Sequence, residues 1–487
     1  MARTAPALRK SFKSLVLTGI ALALSVAVVP AALAADSGKV KGATSNGLNV
    51  KSYGAKGDGK TDDSAAITTA AKAAVKAGQR VYFPAGSYRI GTTMSAVAGA
   101  YYYAPTGVTL QSAAAVNGAN NVTFDGFTFA AYGSTIAIRI GSTTATAPVT
   151  GMKVKNCRFV AGSGEYTWTR ILTYWATDCV IDRNTFTGTA GSGGNIQILA
   201  GKRNQITNNT ITGGTTAIIF MWSRPTAAGN GSASIIEDNT ISGNVCSGYS
   251  EEGISFDLQA NSATGCGAFE YDTVKAVSGQ TVTLTTATFP SYTGYDVIVV
   301  DGALAGRTRT ITAQSSNAFT VSGSLAGLAV GDHVTIGAPF KHNVVTGNTC
   351  TARDKTDASI LLYGLCFGNT VTGNTVAAGT VKVQSLDNTP VITGSATKSF
   401  GRAPCGFNTV QGNNVSDSSS RVYLEYWSVA KGSYSTPFVT VGNNVTGNTT
   451  PQVSALNQSS FINGNSGTTS FNNVTLAAAA FSYDDGR

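Results

Sequence analysis

Apolar residues along this chain fall in short runs of period two. Examples are Ile136-Ala-Ile138-Arg139, Asn195-Ile196-Gln197-Ile198, Ile254-Ser-Phe256-Asp257, Ile360-Leu-Leu362-Tyr363, Val381-Lys-Val383-Gln384 and Val422-Tyr-Leu424-Glu425. Alternation of this kind predicts strands with one face in and one face out. A second pattern, close to N-x-[VI]-x-[GN]-N-x-[VIC], lies between them. It recurs as Asn204-Gln-Ile206-Thr-Asn208-Asn209-Thr-Ile211, Asn343-Val-Val345-Thr-Gly347-Asn348-Thr-Cys350, Asn369-Thr-Val371-Thr-Gly373-Asn374-Thr-Val376, Asn408-Thr-Val410-Gln-Gly412-Asn413-Asn-Val415 and Asn443-Asn-Val445-Thr-Gly447-Asn448. Looser copies hold Asn121, Asn156, Asn184 and Asn239, and the spacing is 25 residues from Asn184 to Asn209 and 26 from Asn348 to Asn374. A coil of that length cannot bury its own apolar face, whereas stacked coils can, so the repeat predicts a parallel β-solenoid. The recurring Asn at one turn fits, because Asn tolerates left-handed backbone and stacked Asn side chains hydrogen-bond from coil to coil. A β-sandwich would need longer strands without this echo.

A solenoid needs covered ends. Thr61-Asp62-Asp63 offers N-capping side chains ahead of Ser64-Ala-Ala-Ile67-Thr-Thr-Ala-Ala-Lys-Ala-Ala-Val75, the one good helical stretch after residue 34. From about Thr264 to Phe340 the Asn motif stops, replaced by Thr281-Val-Thr-Leu284, Asp296-Val-Ile-Val-Val300, Arg307-Thr-Arg309-Thr-Ile311 and His333-Val-Thr-Ile336 between Gly-containing turns. That reads as a small antiparallel barrel or sandwich inserted in one coil, placed to wall one side of a cleft. The expected organisation is residues 1–34 as a signal peptide, 35–263 as the N-terminal part of the solenoid with its cap, 264–340 as the insertion and 341–487 as the C-terminal part.

Composition agrees with many turns: of 487 residues 56 are Gly and only 12% are charged, about half the usual share. The net charge of +9 draws on Arg3, Arg9, Lys10 and Lys13 in residues 1–34, which hold no acid. The remaining bases are scattered, so a nucleic-acid stripe is not expected. The basic start, the apolar stretch Leu15 to Val29 and Ala32-Leu33-Ala34 read as an export signal cleaved near Ala34. No later stretch approaches a membrane span. The protein is therefore expected outside the cytoplasm, extracellular or periplasmic, with no membrane or nucleic-acid partner. Cys157, Cys179, Cys246, Cys266, Cys350, Cys366 and Cys405 are odd in number and form no C-x-x-C. Export permits disulfides, with Cys246–Cys266 or Cys350–Cys366 as candidates, while Cys157 and Cys179 fit equally as buried core residues. With only His333 and His342 available, a structural zinc site is not expected and no metal ligands are assigned.

The stretch Asn49-Val-Lys-Ser-Tyr53-Gly-Ala-Lys-Gly57-Asp58-Gly59-Lys-Thr61-Asp62-Asp63-Ser-Ala-Ala-Ile67, followed by Val81-Tyr-Phe83-Pro84-Ala-Gly86-Ser-Tyr88, resembles the entry segment of the pectin-lyase-like superfamily. That group includes polygalacturonases, rhamnogalacturonases, polysaccharide lyases and tailspike depolymerases. The resemblance implies an all-β fold, a right-handed parallel β-helix with an N-terminal helical cap, a polysaccharide partner, and a trimer as an alternative to a monomer. The Asp62-Asp63 pair reads as cap chemistry. The N-x-D, D-D, H-G and R-x-K set of polygalacturonases is not found in the central coils, nor is the acid and Arg arrangement of calcium-dependent pectate lyases, so no catalytic apparatus is carried over.

Candidate chemistry therefore comes from alignment of the second strands. Setting Ile254 against Ile360, Val381 and Val422 puts Asp257, Tyr363, Gln384 and Glu425 in one outward column and Ser255, Leu361, Lys382 and Tyr423 in the next. Successive members stand about 5 Å apart. Arg139, Asn195 and Gln197 extend the face. The junction Tyr249-Ser-Glu251-Glu252-Gly253-Ile254 faces Arg353-Asp354-Lys355-Thr-Asp357, and in a chain so poor in charge this is the best acidic cluster. Trp168, Arg170, Trp175, Trp222, Arg224, Tyr423 and Glu425 are candidate sugar contacts, since rings stack on pyranoses and Arg holds carboxylates bidentately. Three readings follow. The first is a secreted glycoside hydrolase using two carboxylates drawn from Glu251, Glu252, Asp257 and Asp357. The second is a lyase or epimerase on a uronic-acid glycan, with Lys382 or an Arg as base or charge neutraliser and Tyr363 as proton donor. No cofactor is required, and Ca²⁺ is allowed in this second reading. The third is a non-catalytic carbohydrate-binding or adhesive β-helix.

Overall fold

The computed structural model describes residues 41–131, 136–142, 147–160, 169–188, 194–221, 236–258, 270–285, 293–354, 358–393, 396–415, 417, 420–428, 440–455, 459–466, 468–471 and 483–486. The signal peptide expected over residues 1–34, together with Trp168, Trp222, Arg224, Cys266 and Asp357, lies outside the described residues. No helix among the described residues is long and apolar enough to cross a membrane.

The alternating runs form three parallel sheets whose strands pair coil to coil, a parallel β-helix. Inward positions line up in columns. One runs Leu110, Phe129, Phe159, Phe186, Ile211, Cys246, Cys350, Val376 and Val415 as successive register partners. Within it the Phe129, Phe159 and Phe186 rings stack face to face at 4.9 and 4.6 Å. Like sits on like because each coil presents the same pleat to the next, and this buries the rings against one another.

The Asn motif builds two ladders at two different turns, where the sequence pointed to one. Asn184, Asn209, Asn244, Asn348, Asn374, Asn413, Asn448 and Asn465 form the first. Asn204, Asn239, Asn343, Asn369, Asn408 and Asn443 form the second. Each Nδ2 donates to the next Oδ1, and each Oδ1 also takes the preceding rung's backbone N–H, as between Asn244 and Asn348. The left-handed residue is not the ladder Asn but the one before it. Arg183, Arg203, Asn208, Asp238, His342 and Phe407 have φ of 53 to 57°, and Gly347, Gly373, Gly412 and Gly447 have 61 to 64°. That residue turns the corner, so the Asn after it aims both its amide and its N–H along the stack. At the N-terminal end Cys157 and Cys179 take ladder positions. Their N–H groups donate to Asn184 and Asn204 Oδ1, and their thiols donate to the Phe124 and Val149 carbonyls at 3.8 and 3.6 Å.

The cap helix spans Ser64–Lys76 and buries Ile67, Ala70, Ala71 and Ala74. Its acidic pair is structural. Asp62 accepts from the Ser64 N–H, and Asp63, at the cap position, instead pins the Lys56 and Gly57 N–H groups at 2.7 and 3.1 Å.

Among the described residues, two excursions leave the helix. The first is a closed six-stranded antiparallel barrel, beginning with the strand Glu270–Ser278 and closing on His333–Gly337. The second is the hairpin made by the outer part of Thr380–Thr393 with Ala396–Ala403, and the barrel strand Glu270–Ser278 runs beside it. The C-terminal segment 483–486 fastens the barrel. Asp484 bridges to Arg307 in parallel fashion and its carboxylate pairs with Arg307 and Arg309. Beneath it, buried Lys341 Nζ stands 2.7 Å from Asp296, 3.6 Å from Glu237 and 3.7 Å from Asp485. Burial opposes that ammonium, but the three carboxylates outweigh it and hold its pKa above the usual lysine value.

Candidate functional site

The third sheet carries the candidate face. Its inward columns, Ile171-Ile196-Ile218-Ile254-Ile360-Val381-Val422 among them, fix the register, so the alternate positions point out. One outward column reads Met221, Asp257, Tyr363, Gln384 and Glu425, and its neighbour reads Gln197, Ile219, Ser255, Leu361, Lys382 and Tyr423. The four-residue columns drawn from sequence are these same residues.

The face divides in two. Toward the N-terminal coils Ala115, Ile136, Leu172 and Leu199 are buried together, with Tyr174 and Met221 packed on them. Gln197 is 2% exposed in the same region, and Arg170 is fully buried. Arg170 hydrogen-bonds the Asn195 side chain and the Thr187 carbonyl, so it works inside the fold rather than on a surface. Arg139 and Trp175 are half-buried. Toward the C-terminal coils Asp257, Tyr363, Lys382, Gln384, Tyr423 and Glu425 are all half-exposed. The accessible polar part of the face thus spans the coils of Glu252–Asp257, Ala358–Tyr363, Thr380–Thr393 and Val422–Ser428. That is three coil steps, about 14 Å.

The entry into this part is rigid. Tyr249, fully buried, shares a 2.6 Å hydrogen bond with Ser359, whose hydroxyl also reaches the Ala378 carbonyl at 2.6 Å. A Cβ at Gly253 would come within 2.5 Å of the Ser359 carbonyl oxygen, so only glycine lets these coils close. Glu252 accepts from the Thr216 hydroxyl at 2.7 Å in the preceding coil, while Glu251 is exposed on the turn. Tyr249 and Gly253 lie in the junction picked out from the sequence, but nothing periodic there signals their contacts with Ser359.

The electrostatics of the open part are distinctive. Burial, reinforced by the Asp257 carboxylate, pushes the Tyr363 hydroxyl upward, so it stays protonated. Burial also raises the Glu425 carboxyl, against a smaller opposing effect of Lys382, whose Nζ lies 3.8 Å away. Lys382 also stands 5.9 Å from the Tyr423 ring centre, and Arg421, which the sequence did not single out, is 5.7 Å from the same ring. The backbone positions of Asp257 and Glu425 are about 14 Å apart, and those of Glu252 and Asp257 about 16 Å. Both exceed the roughly 5–9.5 Å carboxylate spacing of glycosidases. Among the described residues no three of His, Cys, Asp and Glu converge as a metal-binding set.

Residues 47–268 match the family model described as rhamnogalacturonase A/epimerase, pectate lyase-like. Over that segment the chain is similar to this pectate lyase-like family. A curated relative is alginate lyase 7 of Azotobacter vinelandii, 63% identical over 43 residues. The match covers 9% of this chain and 5% of that relative's length. Solved structures similar to this β-helix include PfbA, a surface adhesin of Streptococcus pneumoniae, at 14% identity and TM-score 0.48, over 87% of this chain and 89% of that one. The A-module of the mannuronan C-5 epimerase AlgE6 of Azotobacter vinelandii is similar at 12% identity and TM-score 0.45, over 88% and 96%.

Proposed function

We propose that this protein is a polysaccharide-modifying enzyme that acts on a uronic-acid-containing glycan by removing the proton at C5, as a lyase or an epimerase does. The observation that carries the reading is the half-exposed column Asp257, Tyr363, Gln384 and Glu425 with Lys382 beside it. The C5–H of a uronate is acidified only when its C6 carboxylate is neutralised, which is the part of Lys382. Glu425, a better proton acceptor than an ordinary carboxylate because it is desolvated, takes the C5 proton. Tyr363, held in its protonated form, gives its proton either to the leaving O4 oxygen or to C5 from the opposite side. In the first case the C5–H and C4–O4 bonds break and a C4–C5 double bond forms. In the second, one C–H bond replaces another with inversion. Gln384, between the two, hydrogen-bonds sugar hydroxyls. The description of the matched family, with its epimerase and pectate lyase-like terms, and the name of the alginate lyase relative support this substrate class. Export and a cell-exterior location belong to the same proposal.

The test is incubation with polymannuronate, polyguluronate, polygalacturonate and rhamnogalacturonan in D₂O. New absorbance near 235 nm or deuterium at C5 is the expected result. New reducing ends with neither signal would instead establish a hydrolase, and binding without turnover on any glycan would establish an adhesive β-helix.

A further inference from the structure

Six of the seven cysteines are described, all of them buried and none bonded to another. Four of the six meet in pairs. Cys246 and Cys350 are direct register partners on neighbouring coils of one interior column, both fully buried. Cys366 and Cys405 face each other on neighbouring coils of another sheet, one residue before the paired Phe367 and Gly406, and both are again fully buried. Coil spacing of about 4.8 Å lies inside the Cα range of disulfides, roughly 4.4–6.8 Å. The Cys366 thiol donates to the Gly364 carbonyl at 3.5 Å and the Cys405 thiol to the Gln384 carbonyl at 3.2 Å. Of the pairings that sequence spacing suggested, Cys350–Cys366 does not occur here, since the two sit on different sheets, and Cys266 lies outside the described residues. Cys157 and Cys179 stand on different Asn ladders and face no cysteine.

The positions of the pairs in the chain are what distinguish them. Between Cys246 and Cys350 the chain leaves the helix to form the barrel, and between Cys366 and Cys405 it leaves to form the hairpin. Elsewhere along the same interior columns apolar residues such as Ile211 and Val376 fill the equivalent places.

We propose that Cys246–Cys350 and Cys366–Cys405 are disulfide sites, two interior staples that hold in register the coils on either side of each excursion. For each staple two protein S–H bonds break and one S–S bond forms. The two electrons and two protons reduce a donor disulfide, such as a thiol–disulfide oxidoreductase or oxidised glutathione, to two thiols. Attack needs a thiolate. In the folded state the adjoining Cys350 thiol and burial push the Cys246 thiol well up, and burial with the neighbouring Cys405 does the same to Cys366. The bonds therefore form while the coils assemble, and once formed they are sealed from reductants.

The test uses the full chain, produced with export into the periplasm of a bacterial host and trapped with N-ethylmaleimide in guanidinium. Three of the seven cysteines should be alkylated without reduction and all seven after it. Peptide mass spectrometry should show Cys246 linked to Cys350 and Cys366 linked to Cys405. Labelling of all seven without reduction overturns the proposal, as does linkage to other partners such as Cys246 with Cys266. Absence of one linked peptide overturns the staple concerned.

Discussion

Tyr363 and Glu425 differ from ordinary surface residues in one respect: each is half-buried on a face where its neutral form is favoured. For Tyr363 this keeps the donor loaded across the neutral range. Tyr363→Phe keeps the ring and removes the proton, so kcat on the responsive polyuronate should fall roughly a hundredfold or more with KM little changed. For Glu425 the folded-state pKa is raised, so the carboxylate needed as base appears only as pH rises through a value above the usual ~4.3. The acid limb of kcat/KM should accordingly lie above that value, and Glu425→Gln should abolish the limb along with most of the activity. A pH–rate profile of both proteins checks this.

At the scale of elements, the two Asn ladders tie the coils together where side chains rather than strands carry the hydrogen bonds. Asn348 accepts from the Asn244 N–H and Nδ2 and donates to the Ile241 carbonyl and Asn374 Oδ1, all buried. Asn348→Ala leaves these groups unpaired and should cost about 3 kcal/mol, since each buried orphan costs ~1–3 kcal/mol. Asn465, the last rung, is only part-buried, so water replaces its bonds. Asn465→Ala should cost less than half as much in parallel denaturant melts. The repeat that revealed these ladders was visible because both Asn positions recur with the coil. Their division between two turns was not visible, because spacing along the chain does not say where the chain bends.

At the scale of the molecule, Lys341 joins three parts: the helix through Glu237, the barrel through Asp296 and the C-terminal segment through Asp485. Lys341→Met leaves buried Asp296 without its cation, while Glu237 keeps Lys202. It should destabilise the protein by roughly 3–5 kcal/mol. Adding Asp296→Leu should restore part of that loss, a comparison that thermal melts of the single and double variants would make.

Period-two alternation and the Asn repeat were enough for the β-helix, its helical cap and the columns of the third sheet. The reason is physical: a solenoid repeats one local geometry, so local pattern and global register carry the same information. The columns Asp257-Tyr363-Gln384-Glu425 and Ser255-Leu361-Lys382-Tyr423 could be written down from strand alignment alone. Which part of that face is open could not. Arg170 and Gln197 read as substrate contacts in the chain, yet they lie buried beside a small apolar cluster. Leu172, Leu199 and Met221, which build that cluster with Ile136, come from separate coils and have no common motif. The cysteine pairs, the Lys341 network and the docking of residues 483–486 on the barrel likewise join residues far apart in the chain. Contacts of that kind exist only once the coils have stacked and the insertion has closed, because stacking sets which side chains meet and burial sets what each of them does.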